Sequence, residues 1–252
     1  MERLFETLPE TTVTIRVDPE ASVAPIREAL ARIFDTGRVS VIEGSPTQPD
    51  EVVAVRIDEV VAASTAESLL QSLLLVNSDI YITGSRELDE AALPDVLQAL
   101  HDIPFQLRGY PESDSEKLLL IAVSRAIERR AADAAAGTLR VGFQQLSRLV
   151  EEPGTYRVYE RLAETDLAVH AYGVGDTTPP ADLDVTTHTG TSQLHRKGWF
   201  VVFEPPTPAV EPAGLYAIER GDNEWEGFFS FEPSRIDAMQ AVITELATTQ
   251  PQ

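Results

Sequence analysis

The sequence predicts an α/β fold: a mixed, largely central parallel sheet with helices packed on it and an antiparallel C-terminal edge. Three observations carry this expectation. Strand and helix patterns alternate through the middle of the chain, as in βαβ units. Residues 167–174 (LAVHAYGV) are a near-continuous apolar run, the mark of a parallel strand buried on both faces. The C-terminal part is strand-rich, which suits an antiparallel edge.

Taken in order, residues 11–17 alternate and are β-branched, so they predict a strand. Ile26, Leu30, Ile33 and Phe34 share one face of a helix over 24–34, with Gly37 as its stop. Residues 39–42 and 52–57 are short strands separated by a Gly/Ser/Pro turn. Ser64-x-x-Glu67 reads as a capping box opening a helix through Leu69 and Leu70. Residues 80–83 suggest a brief strand, and 94–100 a short helix with Pro94 in its first turn. A second capping box, Ser113-x-x-Glu116, opens the longest helix, 116–135, ending at Gly137. Its first half is apolar nearly all round and predicted buried; its second half, 125–133, returns to the surface. A strand over 139–143, a helix over 156–163 and the strand 167–174 follow. Residues 177–184 form a Pro-rich loop, and 185–189 a further strand. Strands over 199–203, 215–219 and 225–231 are interrupted by a connection, 204–214, that holds four prolines. A helix over 234–246 closes the chain. With no repeat and no long linker, one continuous domain over 1–252 is expected, with residues 1–112 its looser N-terminal part.

Composition narrows the function classes. The 252 residues suffice for a sizeable core, and the apolar (43%) and charged (24%) fractions are those of a globular protein. The net charge of −21 is spread along the chain, and Lys117 and Lys197 are the only lysines. Such a surface repels phosphates and anionic headgroups, so neither nucleic acid nor a membrane is an expected partner. Distributed acid with scarce lysine fits a halophilic protein, for which molar salt shortens the Debye length to about 3 Å. The absence of cysteine excludes disulfides, thiolate metal sites and thiol nucleophiles. The N-terminus has no basic and apolar leader pattern, and no apolar run is long enough to span a bilayer. A soluble, cytoplasmic protein is expected.

Catalytic motifs are missing. There is no P-loop and no G-x-S-x-G elbow. Gly173-Val-Gly175 runs into Asp176 and prolines instead of a helix, unlike a dinucleotide fingerprint. The Gly-Gly-Asp/Glu-Glu-Phe motif of diguanylate cyclases and the ATP boxes of histidine kinases are also absent. The histidines, His101, His170, His188 and His195, do not stand at metal-ligand spacings. The expectation is that His170 is a core or lining residue and the other three are exposed. The sequence names no cofactor and no catalytic residue.

A set of polar and aromatic residues remains. Ser124 and Glu128 share one face of the long helix, and Arg125 and Arg129 the neighbouring face. Gln144 ends its strand, Tyr159 lies on the next helix, His170 and Tyr172 share one side of theirs, and Trp199 opens a later strand. Ligands favour the carboxyl ends of parallel strands, where Gln144, Tyr172 and Gly173 are expected. Two accounts stand at this point. The residues form a ligand pocket with aromatic walls. Alternatively Glu128 pairs with an arginine, Gln144 caps a turn and the tyrosines are ordinary core.

Several of these residues also carry a family resemblance. Ser124-Arg-Ala-Ile-Glu128, Val141-Gly-Phe-Gln144, Tyr159-Glu-Arg-Leu162, His170-Ala-Tyr-Gly173, Trp199-Phe-Val-Val-Phe203 and Glu224-Trp-Glu-Gly-Phe-Phe-Ser-Phe231 resemble successive elements of the DICT sensory domain family. That family is named for diguanylate cyclases and two-component systems. The resemblance is strongest over 113–246. In the first third, Tyr81-Ile-Thr-Gly84 and Leu107-Arg-Gly-Tyr-Pro-Glu112 are similar to acidic, stand-alone haloarchaeal members. The resemblance implies a sensory input module of the kind that sits beside cyclases, kinases or DNA-binding helices, and this chain is expected to depart from that arrangement in having no output domain. Its signal would pass to a separately encoded kinase, cyclase or transcription regulator. A non-catalytic module that binds a small ligand or a partner protein is the leading expectation. An enzyme of unrecognised type using Glu128, His170 or Tyr172, or a scaffold docking through the strand 225–231, are the alternatives.

Overall fold

The computed structural model describes residues 2–17, 23–34, 37–44, 51–56, 59–74, 88, 92–108 and 118–248. The strand expected at 80–83 and the Ser113-x-x-Glu116 capping box lie outside them. Two mixed sheets organise the chain. The first holds β1 (Val13–Val17), β2 (Val39–Glu43), β3 (Glu51–Arg56) and β4 (Glu59–Thr65) in the order β2-β1-β3-β4, with β1 and β2 parallel and the other pairs antiparallel. The second holds β5 (Phe105–Arg108), β6 (Ala136–Gln145), β7 (Asp166–Val174), β8 (Val185–Thr189), β9 (Gly198–Glu204), β10 (Ala213–Gly221) and β11 (Glu224–Ser230) in the order β5-β11-β10-β9-β6-β7-β8.

The α/β class and the mixed pairing agree with the sequence. The placement of the parallel strands does not. Parallel pairing joins β6 to β7 and β7 to β8, at one side of the large sheet, while its middle is antiparallel. The apolar run of β7 arises because both its faces are covered, not because it is central. Leu167, Val169 and Ala171 face the main core, and Tyr172 faces a second core with Phe200 and Leu194. Nor is residues 225–231 an edge: β11 lies between β10 and β5, and Phe229 is buried, so docking through that strand is closed.

Helices cover both faces of the large sheet. The long helix Leu118–Ala134 and the helix Pro153–Leu162 contribute Leu120, Val123, Ile127, Tyr159 and Leu162 to the main core. On the other face, helices Gln193–Lys197 and Pro233–Thr248 contribute Leu194, Ile236, Met239 and Ile243, joined by Leu4 and Leu8. The small sheet shares the main core: Val13, Ile15 and Val17 of β1 belong to it, as do Ile26 and Leu30 of the helix Val23–Ile33.

The long helix ends differently from expectation. Ala135 takes the left-handed conformation (φ 53°), its N–H bonding back to the carbonyl of Ala131. Gly137 is already in β6, where a Cβ would lie 2.4 Å from the Glu204 carbonyl oxygen. The second half of this helix is not a surface segment, because Ile127, Glu128 and Ala131 are buried. Thr65, not Ser64, caps the helix Ala66–Leu74, accepting from the N–H of Ser68, while Ser64 accepts from the N–H of Val96. Strands β4 and β5 and the helices Ser147–Glu151 and Gln193–Lys197 were not expected.

Candidate functional site

The C-terminal end of β6 sets the site's geometry. The register with β7 skips a residue between Gly142 and Gln144, so Phe143 is a bulge, and Gln144 takes a left-handed φ of 63°. The glycine before it is required by packing. A Cβ on Gly142 would lie 2.5 Å from the Phe200 ring, and its absence lets that ring fill the space beneath β6. The bulge and the opening strand of β9 face the long helix and the helix Pro153–Leu162 across a cavity of about 330 Å³, in the range of small-ligand pockets.

Ser124, Arg125, Glu128, Gln144, Tyr159 and Trp199 all line this cavity, with Gly142, Phe143 and Phe200. Glu128 is 2% exposed, and both its oxygens are engaged. The Tyr159 hydroxyl donates to Oε1 at 2.8 Å, and Arg125 Nη1 donates to Oε2 at 2.6 Å. Arg125 also donates to Thr155 Oγ1 (3.0 Å), which donates on to Glu152 Oε2 (3.1 Å). Trp199 Nε1 donates to Ser124 Oγ at 3.0 Å. Burial pushes the Tyr159 hydroxyl well above its ordinary pKa, and the Glu128 carboxylate adds to the effect, so the phenol remains a donor. Burial works against the charge of Arg125, but the neighbouring Glu128 outweighs it and holds the guanidinium above its usual value.

Two groups in the lining are not committed. Among the described residues, the Gln144 side chain, 92% buried (8% exposed), has no hydrogen-bond partner, and Arg148 has neither ion pair nor side-chain hydrogen bond. Arg148, Glu152 and Thr155 were missed from the sequence. Their spacing of four and three is helical, but Pro153 splits them between two short helices and hides the pattern.

His170 and Tyr172 lie on the opposite face of the sheet. His170 Nδ1 is 3.0 Å from His188 Nε2, and the Tyr172 ring stacks on His188 at 4.4 Å and against Phe200 at 5.6 Å. The strand alternation that puts His170 and Tyr172 together also turns both away from Glu128. An active site combining the three is therefore not formed. Of the histidines expected to be exposed, His195 is buried, its Nδ1 2.7 Å from Ser192 Oγ. Among the described residues no group of three or more His, Cys, Asp or Glu is placed to hold a metal ion. At the end of β7, Asp176 accepts from the N–H (3.0 Å) and hydroxyl (2.7 Å) of Ser147, filling the start of the helix that follows β6. Burial works to raise its carboxyl, but these bonds and those to neighbouring backbone N–H groups together outweigh it and hold the carboxyl below the usual range.

A second cavity, about 420 Å³, lies between the long helix and Phe229, Phe231 and Val210. Its charged groups are already paired: Arg129 with Asp133, and Arg130 with Glu211. No helix among the described residues is long and apolar enough to cross a membrane.

No curated protein and no solved structure matches the chain. A family model does match, over residues 95–210: the sensory domain in diguanylate cyclases and two-component systems. The matched segment contains every described residue lining the 330 Å³ cavity. Strands β10 and β11, which follow the segment in sequence, lie inside the same sheet between β9 and β5. Residues 95–210 of this chain thus match the DICT sensory domain, the family that the motifs on the long helix, β6 and β9 had indicated.

Proposed function

We propose that this chain is a non-catalytic sensing module whose signal is a small molecule bound in the cavity between β6, β9 and the helices Leu118–Ala134 and Pro153–Leu162. One observation carries the reading: Gln144, 8% exposed and held in a left-handed conformation at a bulge, lines this cavity with no hydrogen bond to its side chain among the described residues. A polar side chain that reaches a small aromatic-walled cavity and is not used by the protein itself is open to a ligand's hydrogen bond. The polar groups around it suit binding better than turnover. Glu128 is locked between two donors, and among the described residues no free base–nucleophile pair stands beside it. The sensory domain's sheet is completed by β10 and β11, so we take the functional unit to run through the closing helix. Output would pass to a separate signalling protein such as a kinase, cyclase or transcription regulator. The chain's net charge of −21 argues against nucleic acid and anionic membranes as direct partners.

Native mass spectrometry of the purified protein, incubated with a metabolite extract of its host cells, tests the reading. A stoichiometric adduct is expected in the wild type and lost in Gln144→Leu. No adduct, or one retained by the variant, would count against the cavity as the sensor.

A further inference from the structure

We propose that the cavity takes a planar aromatic or heteroaromatic monocarboxylic acid, with its ring between Phe143 and Trp199, its polar ring edge on Gln144 and its carboxylate on Arg148. This rests on the ligand-binding reading above and goes further by assigning the ligand's chemistry. It follows from which lining groups are still available.

Glu128 is taken by Arg125 and Tyr159, and Glu152 accepts from Thr155. Arg125 in turn is committed to Glu128 and Thr155. Among the described residues of the lining, Arg148 is then the one charged group without a counter-charge or hydrogen bond. Its planar fork of donors matches a carboxylate in two-point geometry. A cationic ligand would meet two guanidiniums while both lining carboxylates are occupied. A second anionic charge would find no further free cation.

The remaining wall selects the body of the ligand. Phe143 and Tyr159 meet edge to face at 5.4 Å, and the indole of Trp199 is fixed by its bond to Ser124. Such preset rings favour a flat, rigid partner that stacks at small entropic cost. The Gln144 amide offers one acceptor and a donor pair in a plane, which suits a ring N–H, ring nitrogen or phenol. At about 330 Å³ the cavity is near the lower end of ligand-site volumes, with room for one or two fused rings and not for a dinucleotide.

Isothermal titration of wild type, Arg148→Gln and Gln144→Leu with indole-3-carboxylate, quinoline-2-carboxylate and 4-hydroxybenzoate, each matched with its neutral amide, tests the assignment. At least one acid is expected to bind about ten-fold or more tightly than its amide, the scale of one charge-assisted hydrogen-bonded contact. Arg148→Gln should bring that acid down to the level of its amide, and Gln144→Leu should weaken acid and amide alike. Circular dichroism melts confirm that both variants are folded. Amides that bind as well as acids, or an acid preference that survives Arg148→Gln, would overturn the ligand class and leave the cavity as a binding site. Silence toward every compound, with the extract adduct still present, would do the same. Silence together with no adduct would overturn both.

Discussion

Glu128 is the residue on which the cavity wall hangs. It sits in a wall closed to solvent, 2% exposed, and ties the long helix to the helix Pro153–Leu162 through Tyr159. Its two donors are not equivalent. The Arg125 guanidinium is itself buried, its side chain 11% exposed, and depends on Glu128 as its counter-charge. Removing one member of a buried pair strands the other, at a typical cost of about 3–5 kcal/mol. Removing the Tyr159 hydroxyl leaves the ion pair intact and deprives Oε1 of one donor, at a typical cost of about 1.5–3 kcal/mol. Urea denaturation should therefore rank Glu128→Gln well below Tyr159→Phe, with both below wild type. Equal losses, or a Glu128→Gln protein as stable as wild type, would show that Arg125 does not depend on Glu128. The same locked arrangement engages both oxygens that a general base would need, a role the sequence alone left open.

At the level of elements, the edge strand β8 is coupled to β7 by a pair of histidines instead of apolar contacts alone. His170 and His188 face each other across the strand pair, Tyr172 stacks on His188, and Arg140 of β6 is close by. Burial lowers the pKa of His170, His188 and His195; His188 lowers the other two further, and Arg140 acts on His170 and His188. Folded values below the unfolded one mean that the unfolded chain takes up protons first. The stability these groups contribute is present above about pH 6.5 and is lost as the pH falls through their folded values. Melting temperature should accordingly fall from pH 7.5 to 5.5, a window in which ordinary carboxylates stay charged. His188→Gln should flatten that fall, since it removes one titrating group and the charge that acts on His170 and His195. An unchanged slope in the variant would locate the pH response elsewhere. This pairing was invisible in the sequence because His170 and His188 lie eighteen positions apart, in strands whose register only the fold defines. What was legible was local: the faces of Ile26 and Leu30, the alternation of β1, the shared helix face of Ser124 and Glu128. Elements set by tertiary context were not. Short β5 has little pattern of its own and is recruited by β11. Ala135 took the turn that Gly137 had suggested, because the glycine was needed for close approach to Glu204. The bulge at Phe143 gathers Gln144 into the same wall as Tyr159 and Trp199, whereas plain alternation in β7 sent His170 and Tyr172 to the other face.

For the whole molecule, electrostatics set a balance that salt will shift. The chain carries 41 acidic against 20 basic side chains, so full pairing of every cation would still leave the whole net charge of −21 unopposed. Attractive surface pairs do exist: Arg27 with Glu43 at 2.8 Å, and Arg220 with Glu226 at 2.8 Å. Exposed pairs of this kind contribute only about 0–1 kcal/mol each and weaken in salt. Repulsion among the excess carboxylates acts over the whole surface when the Debye length is about 30 Å at 0.01 M, and is reduced to near-contact range at about 3 Å in 1 M salt. Unfolding spreads the same charges further apart, so low salt favours the unfolded chain. The two effects oppose each other, and the charge excess decides in favour of relief. Melting temperature should therefore rise between 0.01 and 1 M KCl, most steeply at the low end, where the Debye length changes fastest. Potassium chloride is the useful salt because strongly excluded anions such as sulfate would add a separate strengthening of apolar burial. Carboxylate neutralisation gives an independent check, since replacing exposed acids away from the cavity lining, such as Glu10 and Glu28, with glutamine should raise the low-salt melting temperature and shrink the response to KCl. A melting temperature that falls with KCl would instead mean that the few attractive pairs outweigh the excess, and that the acidic surface is not an adaptation to salt.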